Sequence, residues 1–515
     1  MEALVLVLYG LVVTLLFLYN CNQLSLIFSY IKHKRKSYTR FRDYDGRPAE
    51  QVPFVTIQLP VYNELYVAER LIDSIAALNY PREKLEIQVL DDSTDETVDI
   101  IAHRVAHFRR HGLDIRHIRR PDRKGFKAGA LAYGLQQAKG EFLAIFDADF
   151  VPDPDFLLKT IPHFENPKVG IVQTRWTHLN EDYSILTQLQ AFGLNAHFFV
   201  EQGGRNADGY FMNFNGTAGV WRKQAILEAG GWSSDTITED LDLSYRAQLK
   251  GWKFVYREDI GSPAELPVAM KALKSQQYRW MKGAAECARK LMLRVLRAPG
   301  VSLRVKIHAF FHLLSSSTFI LVFLLGVLSV PVLYIRIRHP EYDWVFFLLG
   351  FFQVNLLILL SFYGIPYWLE RRGRLERLGL YYFPMYSSLM MGLSLHNSIA
   401  VIEGFIGRKT PFVRTPKFNV DAGGSSWRTN KYVHRDLGAS INWLTVAEGL
   451  LMVYFLFGIA MAFYHQRYDM IVFHVMLAVG FGLVFAYSVF HSDARAGFTL
   501  PKAIKKPQSV GSAVS

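Results

Sequence analysis

The chain has 515 residues, half of them apolar and 14% aromatic, with 58 Lys and Arg against 45 Asp and Glu and a formal net charge of +13. That apolar mass excludes a disordered chain, and its concentration in blocks of membrane-span length argues against a purely soluble one. The two cysteines, Cys21 and Cys287, exclude a disulfide framework or a Cys-rich zinc site, and the basic excess suits a cytosolic membrane face, anionic lipid or a phosphate-bearing substrate rather than nucleic acid, for which no reading helix appears.

The first apolar block runs from about Leu4 to Ile31, with no basic residue before it and Lys32, Lys34, Arg35 and Lys36 at its end. It reads as a retained anchor over residues 1–32 with its N-terminus outside, followed by a basic linker at 33–50. Residues 51–266 change character: short β-rich runs alternate with amphipathic stretches, which predicts an α/β domain with a mainly parallel sheet. Strands are expected at Val55–Leu59 (ending at Pro60), Glu86–Leu90 (ending at Asp91-Asp92), Phe142–Phe146 (ending at Asp147) and Val169–Gln173. Ligands of open α/β sheets collect at the carboxyl ends of strands, and three of these strands end in polar or acidic residues.

Asp-x-Asp occurs at 43/45, 147/149, 153/155 and 240/242, but only Asp147 and Asp149 follow an apolar strand. On a strand, i and i+2 face the same way, so two hard carboxylates there suit Mg²⁺ or Mn²⁺ bridging a diphosphate; a plain strand-end turn is the competing reading. Asp91–Thr97 reads as an N-cap cluster that leaves the paired acids Asp91 and Asp92 at the strand tip unexplained. Lys124–Ala130 sets lysines beside small residues at a helix start, as a phosphate contact or as a solvated basic turn. Thr238-Glu239-Asp240 is an ordinary cap before the amphipathic helix Leu241–Leu249, or the seat of a carboxylate base. Residues 267–303 form a basic amphipathic stretch suited to a membrane surface, and within it Arg279 and Trp280 offer a charge and a stacking platform.

Further apolar blocks lie at roughly 305–337, 343–369, 380–405, 441–464 and 468–491. Arg371, Arg372, Arg374 and Arg377 on one side of block 380–405, and Arg408, Lys409, Arg414, Lys417, Arg428, Lys431 and Arg435 on the other, put both its flanks in the cytosol. That block is therefore expected to be an interfacial helix within 370–405. Two spans at 304–369 and two at 441–491 then make five with the first, leaving 406–440 and a tail at 492–515 inside; six spans with an external C-terminus is the alternative.

In order, Pro60-Val61-Tyr62-Asn63-Glu64, Asp91-Asp92, Lys127-Ala128-Gly129, Asp147-Ala148-Asp149, Thr238-Glu239-Asp240 and Gln276-x-x-Arg279-Trp280 resemble the motif series of the membrane-embedded family-2 glycosyltransferases. Phe214-Asn215-Gly216-Thr217-Ala218-Gly219-Val220-Trp221-Arg222, Gly230-Gly231-Trp232 and Glu265-Leu266-Pro267 narrow the resemblance to the cellulose-synthase-like A and C proteins, the mannan and glucan synthases. It is strong over 52–285 and loose in the membrane part. Phe412-Val413-Arg414-Thr415-Pro416-Lys417 is similar to the gating loop of cellulose synthases, with Arg414 where that loop has valine. That family's C-terminal regulatory domain has no counterpart after residue 491, so control by a cyclic dinucleotide within this chain is not expected.

The resemblance implies a cytosolic GT-A (Rossmann-like) α/β domain inserted between α-helical transmembrane segments of a multi-pass protein, in a plasma or inner membrane if bacterial and in the Golgi if plant-like. It implies inverting, processive transfer of hexose from UDP-glucose or GDP-mannose to a growing β-linked polysaccharide that passes through the protein's own spans. Asp240 would be the general base, kept ionised by its helix dipole, with Glu239 orienting a neighbour. Mg²⁺ or Mn²⁺ would be held by Asp149 and Asp147. Tyr62, Glu64 and Asp92 would hold the nucleotide base, with Asp91 and Asp147 also on the donor side and Lys127 and Arg279 at the diphosphate. Trp280 would stack on the acceptor sugar, beside Gln276, with Asn215, Gly216 and Thr217 bordering the acceptor end. Phe412, Thr415 and Lys417 would act as the gating loop. The partners implied are the nucleotide sugar, the polysaccharide and membrane lipids, with no nucleic acid. Two rivals are a glycolipid synthase adding one sugar to a lipid, and a non-catalytic scaffold that binds nucleotide sugar.

Overall fold

A computed structural model of the chain describes residues 1–37, 51–371, 377–410, 413–420 and 442–490. Most of the basic linker, Arg372 and Arg374, Phe412, Arg428, Lys431, Arg435 and the tail lie outside the described residues. The first helix, α1 (Glu2–Ser37), presents Leu4, Val7, Leu11 and Leu15 outward, as a helix solvated by lipid does.

Seven strands follow in one sheet, ordered β3-β2-β1-β4-β6-β5-β7. They are β1 (Val55–Val61), β2 (Leu85–Asp91), β3 (Ile115–Ile118), β4 (Phe142–Ile145), β5 (Val169–His178), β6 (Gly219–Arg222) and β7 (Lys253–Ala264). The first four pair in parallel, β6 runs antiparallel to β4 and β5, and β5 pairs in parallel with β7. Strands β1 and β2 are buried on both faces, as a parallel sheet with layers on each side requires; one face is apolar, and the other carries Thr56, Gln58, Glu86 and Gln88. Their few polar side chains pair across strands: Thr56 Oγ1 donates to Glu86 Oε2 at 2.7 Å, and Gln58 Nε2 to Gln88 Oε1 at 3.0 Å.

Three expected strand ends shift. β1 runs through Pro60 to Val61, because β4 stops pairing at Gln58 opposite Ile145, so the missing N–H of proline removes no ladder bond. β4 ends at Ile145, which leaves Asp147-Ala148-Asp149 in a turn rather than on the strand; the two carboxylates do not share a face by strand alternation. β5 extends five residues beyond the expected Gln173, because β7 pairs with it up to His178.

Helices frame the sheet's carboxyl edge. α2 (Phe126–Gln137) packs on one face, and α3 (Ile185–Ala196) starts at a capping box of Ser184 and Thr187. α4 (Glu239–Leu249) opens with three acids, and α5 (Met270–Arg297) is a 28-residue amphipathic helix running beneath the domain. Beyond it lie α6 (Thr318–Arg338), α7 (Val354–Arg371), α8 (Phe383–Gly392), α9 (Ser394–Ile406), α10 (Trp443–Tyr464) and α11 (Ile471–Phe490). Among the described residues five helical stretches are long and apolar enough to cross a membrane: Glu2–Lys34, Ser315–Arg338, Pro340–Glu370, Trp443–Tyr464 and Ile471–Phe490. Block 380–405 forms two helices meeting at 50°. The second of them, α9, packs along α5, where a Cβ on Gly404 would meet the Lys282 carbonyl.

A buried ion pair joins α5 to the apolar helices. Lys274 Nζ donates to both oxygens of the fully buried Glu448 at 2.8 and 2.7 Å and to Ser488 Oγ at 2.8 Å. Removing one member of such a pair strands the other charge at a cost of about 3–5 kcal/mol, whereas apolar replacement of both is near neutral. Glu448→Ala should therefore lower the melting temperature of the purified protein, and Lys274→Met with Glu448→Leu should restore most of the loss.

Candidate active site

One cleft opens at the carboxyl ends of β1, β2 and β4, roofed by α5 and by residues 414–417. It is lined by Tyr62, Glu64, Asp92, Lys127, Asp147, Asp149, Asn215, Gly216, Glu239, Asp240, Gln276, Arg279, Trp280, Thr415 and Lys417, all expected from the sequence. Arg123, Trp176, His178, Glu265 and Arg414 line it as well.

At one end the Arg123 guanidinium lies 3.3 Å from the centroid of the Tyr62 ring, a flat cation–π pair. Asp92 beside it is gripped bidentately by Arg120, at 2.7 and 2.6 Å. In the middle, Lys127 Nζ donates to Asp147 Oδ1 at 2.5 Å and to the Gly216 carbonyl at 2.9 Å. Burial alone would lower the Lys127 ammonium, but the carboxylates of Asp147, Glu239 and Asp240 outweigh it and hold it above its ordinary value. Gly216 has φ +80°, and a Cβ there would stand 3.0 Å from Asp240 Oδ2. The loop thus needs glycine both for its backbone and to let the carboxylate approach.

Asp240 Oδ1 accepts from the Leu241 N–H at 2.8 Å at the start of α4. Burial raises both Asp240 and Glu239 above the carboxylate range, with Lys127 opposing. Desolvation of a closed site outweighs a half-charge at a helix end. Asp242 points away, to Arg246 at 2.8 Å and Lys290 at 2.7 Å. Behind the loop Glu286 Oε2 accepts the Ile237 N–H at 2.8 Å. A Cβ on Gly283 would meet Thr238 at 2.4 Å, so α5 packs directly on the loop that carries Asp240.

At the far wall Asp149 Oδ2 accepts from Lys417 Nζ at 2.6 Å and from the Glu265 N–H at 3.1 Å. The Glu265 carboxylate accepts the N–H groups of Phe418 and Asn419 at 2.9 and 3.0 Å. Arg279 donates to the Val413 carbonyl and to Thr415 Oγ1, both at 2.6 Å, and Lys282 Nζ donates to the Arg408 carbonyl and Thr410 Oγ1, both at 2.6 Å. Residues 408–410 are therefore held against α5 at Lys282, and residues 413–419 run as a strap from Arg279 of α5 into the cleft. Glu64, 3.5 Å from Arg414, is pushed up to about 8 by burial, with Arg414 opposing and Asp149 adding.

Two expected site residues sit behind the cleft. Asp91 is buried, accepting from His117 Nε2 at 2.8 Å and the Ser93 N–H at 2.8 Å, so it shapes the turn that presents Asp92. Thr217 is fully buried, and its Oγ1 accepts the Asp147 N–H at 2.9 Å, so it fixes the acidic turn instead of facing an acceptor. Phe412 lies outside the described residues. Arg123 and Glu265 gained no role from the sequence. The first adjoins the Lys124 run and is recognisable only once Tyr62 is seen beneath it; the second needs the β5–β7 pairing that ends beside Asp149.

Residues 53–283 match the family described as glycosyltransferase like family 2. Probable glucomannan 4-beta-mannosyltransferase 4 of Oryza sativa subsp. japonica is 44% identical over 56% of this chain and 54% of its own length, so the chain spans about half of that relative. Glucomannan 4-beta-mannosyltransferase 1 of the same plant is 39% identical over 71% of this chain and 69% of its own. Glucomannan 4-beta-mannosyltransferase 9 of Arabidopsis thaliana is 33% identical over 82% of this chain and 78% of its own. Among solved structures, the mannosyltransferase PcManGT from Pyrobaculum calidifontis in complex with GDP-Man and Mn²⁺ is similar at a TM-score of 0.49 and 18% identity, over 78% of this chain and 100% of its own. The chain belongs to the family-2 glycosyltransferases, with cellulose-synthase-like glucomannan mannosyltransferases among its relatives.

Proposed function

We propose that this chain is a processive, inverting β-mannosyltransferase that takes mannose from GDP-mannose, extends a β-1,4-linked mannan or glucomannan, and passes it through its own spans from a cytosolic domain. The observation that carries the reading is the single cleft in which a carboxylate base candidate, two lysines, the Asp147–Asp149 turn and an Arg–Trp pair meet. The names of the relatives favour mannose over glucose. Five spans, with α8 and α9 lying at the cytosolic surface, suit the basic flanks of that block.

Asp240 takes the proton of the attacking 4-hydroxyl as the hydroxyl displaces the nucleoside diphosphate from the anomeric carbon. Its burial beside Lys127 suits that task, since a base works best with a pKa near the working pH. Lys127 and Arg279 receive the negative charge that develops on the diphosphate. Tyr62 and Arg123 stack on the nucleotide base, with Asp92 on its edge, and Trp280 stacks on the acceptor sugar. Glu239 orients its neighbours.

Asp147 and Asp149 fit a hard divalent ion, Mg²⁺ or Mn²⁺, by donor type, and each carboxylate is neutralised by one lysine, as a bare pair facing a cation site would be. Among the described residues no three His, Cys, Asp or Glu side chains are arranged to hold a metal by themselves, so Asp147 and Asp149 would hold the ion together with the donor. When bound, that ion neutralises the leaving diphosphate. Lys417 exchanges Asp149 for diphosphate as donor enters, which gives the strap at 413–417 the role of a gate.

Four outcomes test this. Asp240→Asn should lose about 10²–10⁴ in turnover, the scale of a general base, with donor affinity kept. Because the protonated carboxyl is inactive and burial raises its titration, turnover of the parent should fall on acidification at a pH above the ordinary carboxylate range. A parent-like rate for Asp240→Asn alongside a dead Glu239→Gln would move the base to Glu239. Asp149→Ala should abolish the stimulation by Mn²⁺ or Mg²⁺ and weaken GDP-mannose binding; full activity of that variant in EDTA would refute the metal role. Thr415→Ala with Lys417→Ala should slow elongation and shorten the polymer in a sizing assay with GDP-mannose, while single-sugar products on lipid would favour the glycolipid synthase.

A further inference from the structure

Behind Asn215 lies a buried polar network that the chemistry above does not use. α3 runs into a π-helical turn, His197–Gln202, a device that re-aims side chains and recurs at functional sites. It sets His197, Glu201 and Gln202 against the segment Asn213–Asn215.

The donors and acceptors there can be assigned one from another. Gln202 Nε2 donates to the Asn213 main-chain carbonyl at 3.0 Å. A carbonyl only accepts, so the nitrogen end of the Gln202 amide is fixed. That nitrogen also lies 3.2 Å from Asn215 Oδ1, and Asn213 Nδ2 lies 2.7 Å from the same oxygen. Turning the Asn215 amide over would set NH₂ against NH₂. His197 Nδ1 faces Glu201 Oε2 at 2.7 Å and its Nε2 lies 3.3 Å from Asn215 Oδ1; with the Nδ1 hydrogen given to the carboxylate, Nε2 donates to that oxygen only in the imidazolium form. Glu201 Oε1 in turn accepts from Gln23 Nε2 of α1 at 3.0 Å. Burial alone would raise the Glu201 carboxyl, but His197 and then Arg205 hold it down at about 2, so it remains an acceptor.

The Asn215 oxygen is thus fully supplied while its nitrogen is empty: Nδ2 is buried and has no hydrogen-bond partner. Buried donors without partners are rare and costly. This one belongs to a residue that lines the cleft on the same loop as Gly216, whose missing side chain makes room for Asp240.

We propose that Asn213, Gln202, His197 and Glu201 are positioning residues that lock the Asn215 carboxamide so that its Nδ2 donates to an oxygen of the terminal sugar of the acceptor chain. This rests on the reading that Asn215 borders the acceptor end. The ligand group is a hydroxyl or ring oxygen, never a cation, and the hydrogen bond holds the terminal sugar while Asp240 takes the proton of its reacting hydroxyl.

Asn215→Asp is the decisive variant. It keeps an oxygen for the Gln202 and Asn213 donors, so the network and the fold are retained, and it replaces only the N–H donor. Initial rates would be measured on the full-length purified protein with mannotetraose varied, using whichever nucleotide sugar the parent turns over, so failure of the mannose reading leaves the comparison intact. Asn215→Asp should raise the acceptor KM about tenfold, the scale of one hydrogen bond, with donor affinity by titration unchanged. Gln202→Met and His197→Ala should raise the same KM in the parent and have little further effect in the Asn215→Asp background, the non-additivity expected of residues that act through one group. His197→Gln, which keeps one donor, should recover part of the loss. Parent-like acceptor kinetics in Asn215→Asp, or a loss confined to donor affinity, would overturn the acceptor contact. Normal KM in Gln202→Met and His197→Ala beside an impaired Asn215→Asp would overturn the network and leave the acceptor placement standing.

Discussion

Charge compensation in a desolvated cleft is the constraint on which the rest of this structure depends. Glu64, Asp147, Asp149, Glu239, Asp240 and Glu265 converge in one largely buried cleft, and Arg123, Lys127, Arg279, Arg414 and Lys417 answer them. Buried charges are tolerated only when paired and hydrogen-bonded. Each lysine bridges elements that are distant in sequence: Lys127 ties α2 to the Asp147 turn and to Gly216, and Lys417 ties the strap to Asp149 and to the Glu265 carbonyl. The fold of the cleft and its electrostatics are therefore one problem. A phosphate-bearing ligand entering it takes over lysine contacts that already exist, so its desolvation is offset by groups held in place beforehand.

α5 is the mechanical counterpart of that constraint. Along one helix, Lys274 grips Glu448 of α10, Gln276, Arg279 and Trp280 face the cleft, Lys282 holds Arg408 and Thr410, and Gly283 and Glu286 press on the loop before Asp240. Membrane helices, strap and base candidate are thus referenced to the same rigid element. Displacement of α10 or α11 reaches the chemistry through a buried ion pair and one helix rather than through a flexible linker. That arrangement suits the proposed passage of product through the spans as the next sugar arrives.

How much of this was legible follows from which forces are local. The parallel half of the sheet and its acidic strand ends were readable because apolar runs and their terminators are contiguous in sequence. Strands β3, β6 and β7 were not anticipated: β3 and β6 are only four residues long, and β7 is a mixed polar run stabilised by pairing with β5. The motif residues Tyr62, Lys127, Asp240 and Trp280 do share one cleft, yet motif spacing could not say that Asp91 and Thr217 stand behind their neighbours as supports. Nor could it say that Asp240 is governed by burial rather than by its helix end, since burial is decided by chain that arrives from residues 216, 280 and 417. Arg414, a departure from the gating-loop pattern, finds its physical reason only in three dimensions, as the cation facing buried Glu64.

Backbone strain maps onto the same place. Among the described residues, non-glycine φ values are positive at Asn63, Phe126, Ala218, Asn419 and Gln466; the first two adjoin cleft residues, and the next two lie two positions from Gly216 and Lys417 of the cleft. Asn63 is the easiest to hold, since its side chain engages Thr94 while its N–H donates to Ser93. Ala218, at φ +54°, has no polar side chain to compensate it. It is held instead by the sheet and its surroundings: its N–H donates to the Ile145 carbonyl, and its own carbonyl accepts from the Thr174 N–H and hydroxyl and from Gln173 Nε2. Such conformations cost about 1–3 kcal/mol and persist only where the surroundings over-determine them. What the strain supports is the kink of residues 215–218. That kink sets Thr217 Oγ1 against the N–H of Asp147, the Gly216 carbonyl against Lys127, and the bare Gly216 against Asp240. The strained loop is therefore the joint at which the acidic turn, the lysine and the base candidate are held at fixed distances, and the buried threonine behind it is as much a part of the site's geometry as the carboxylates that line it.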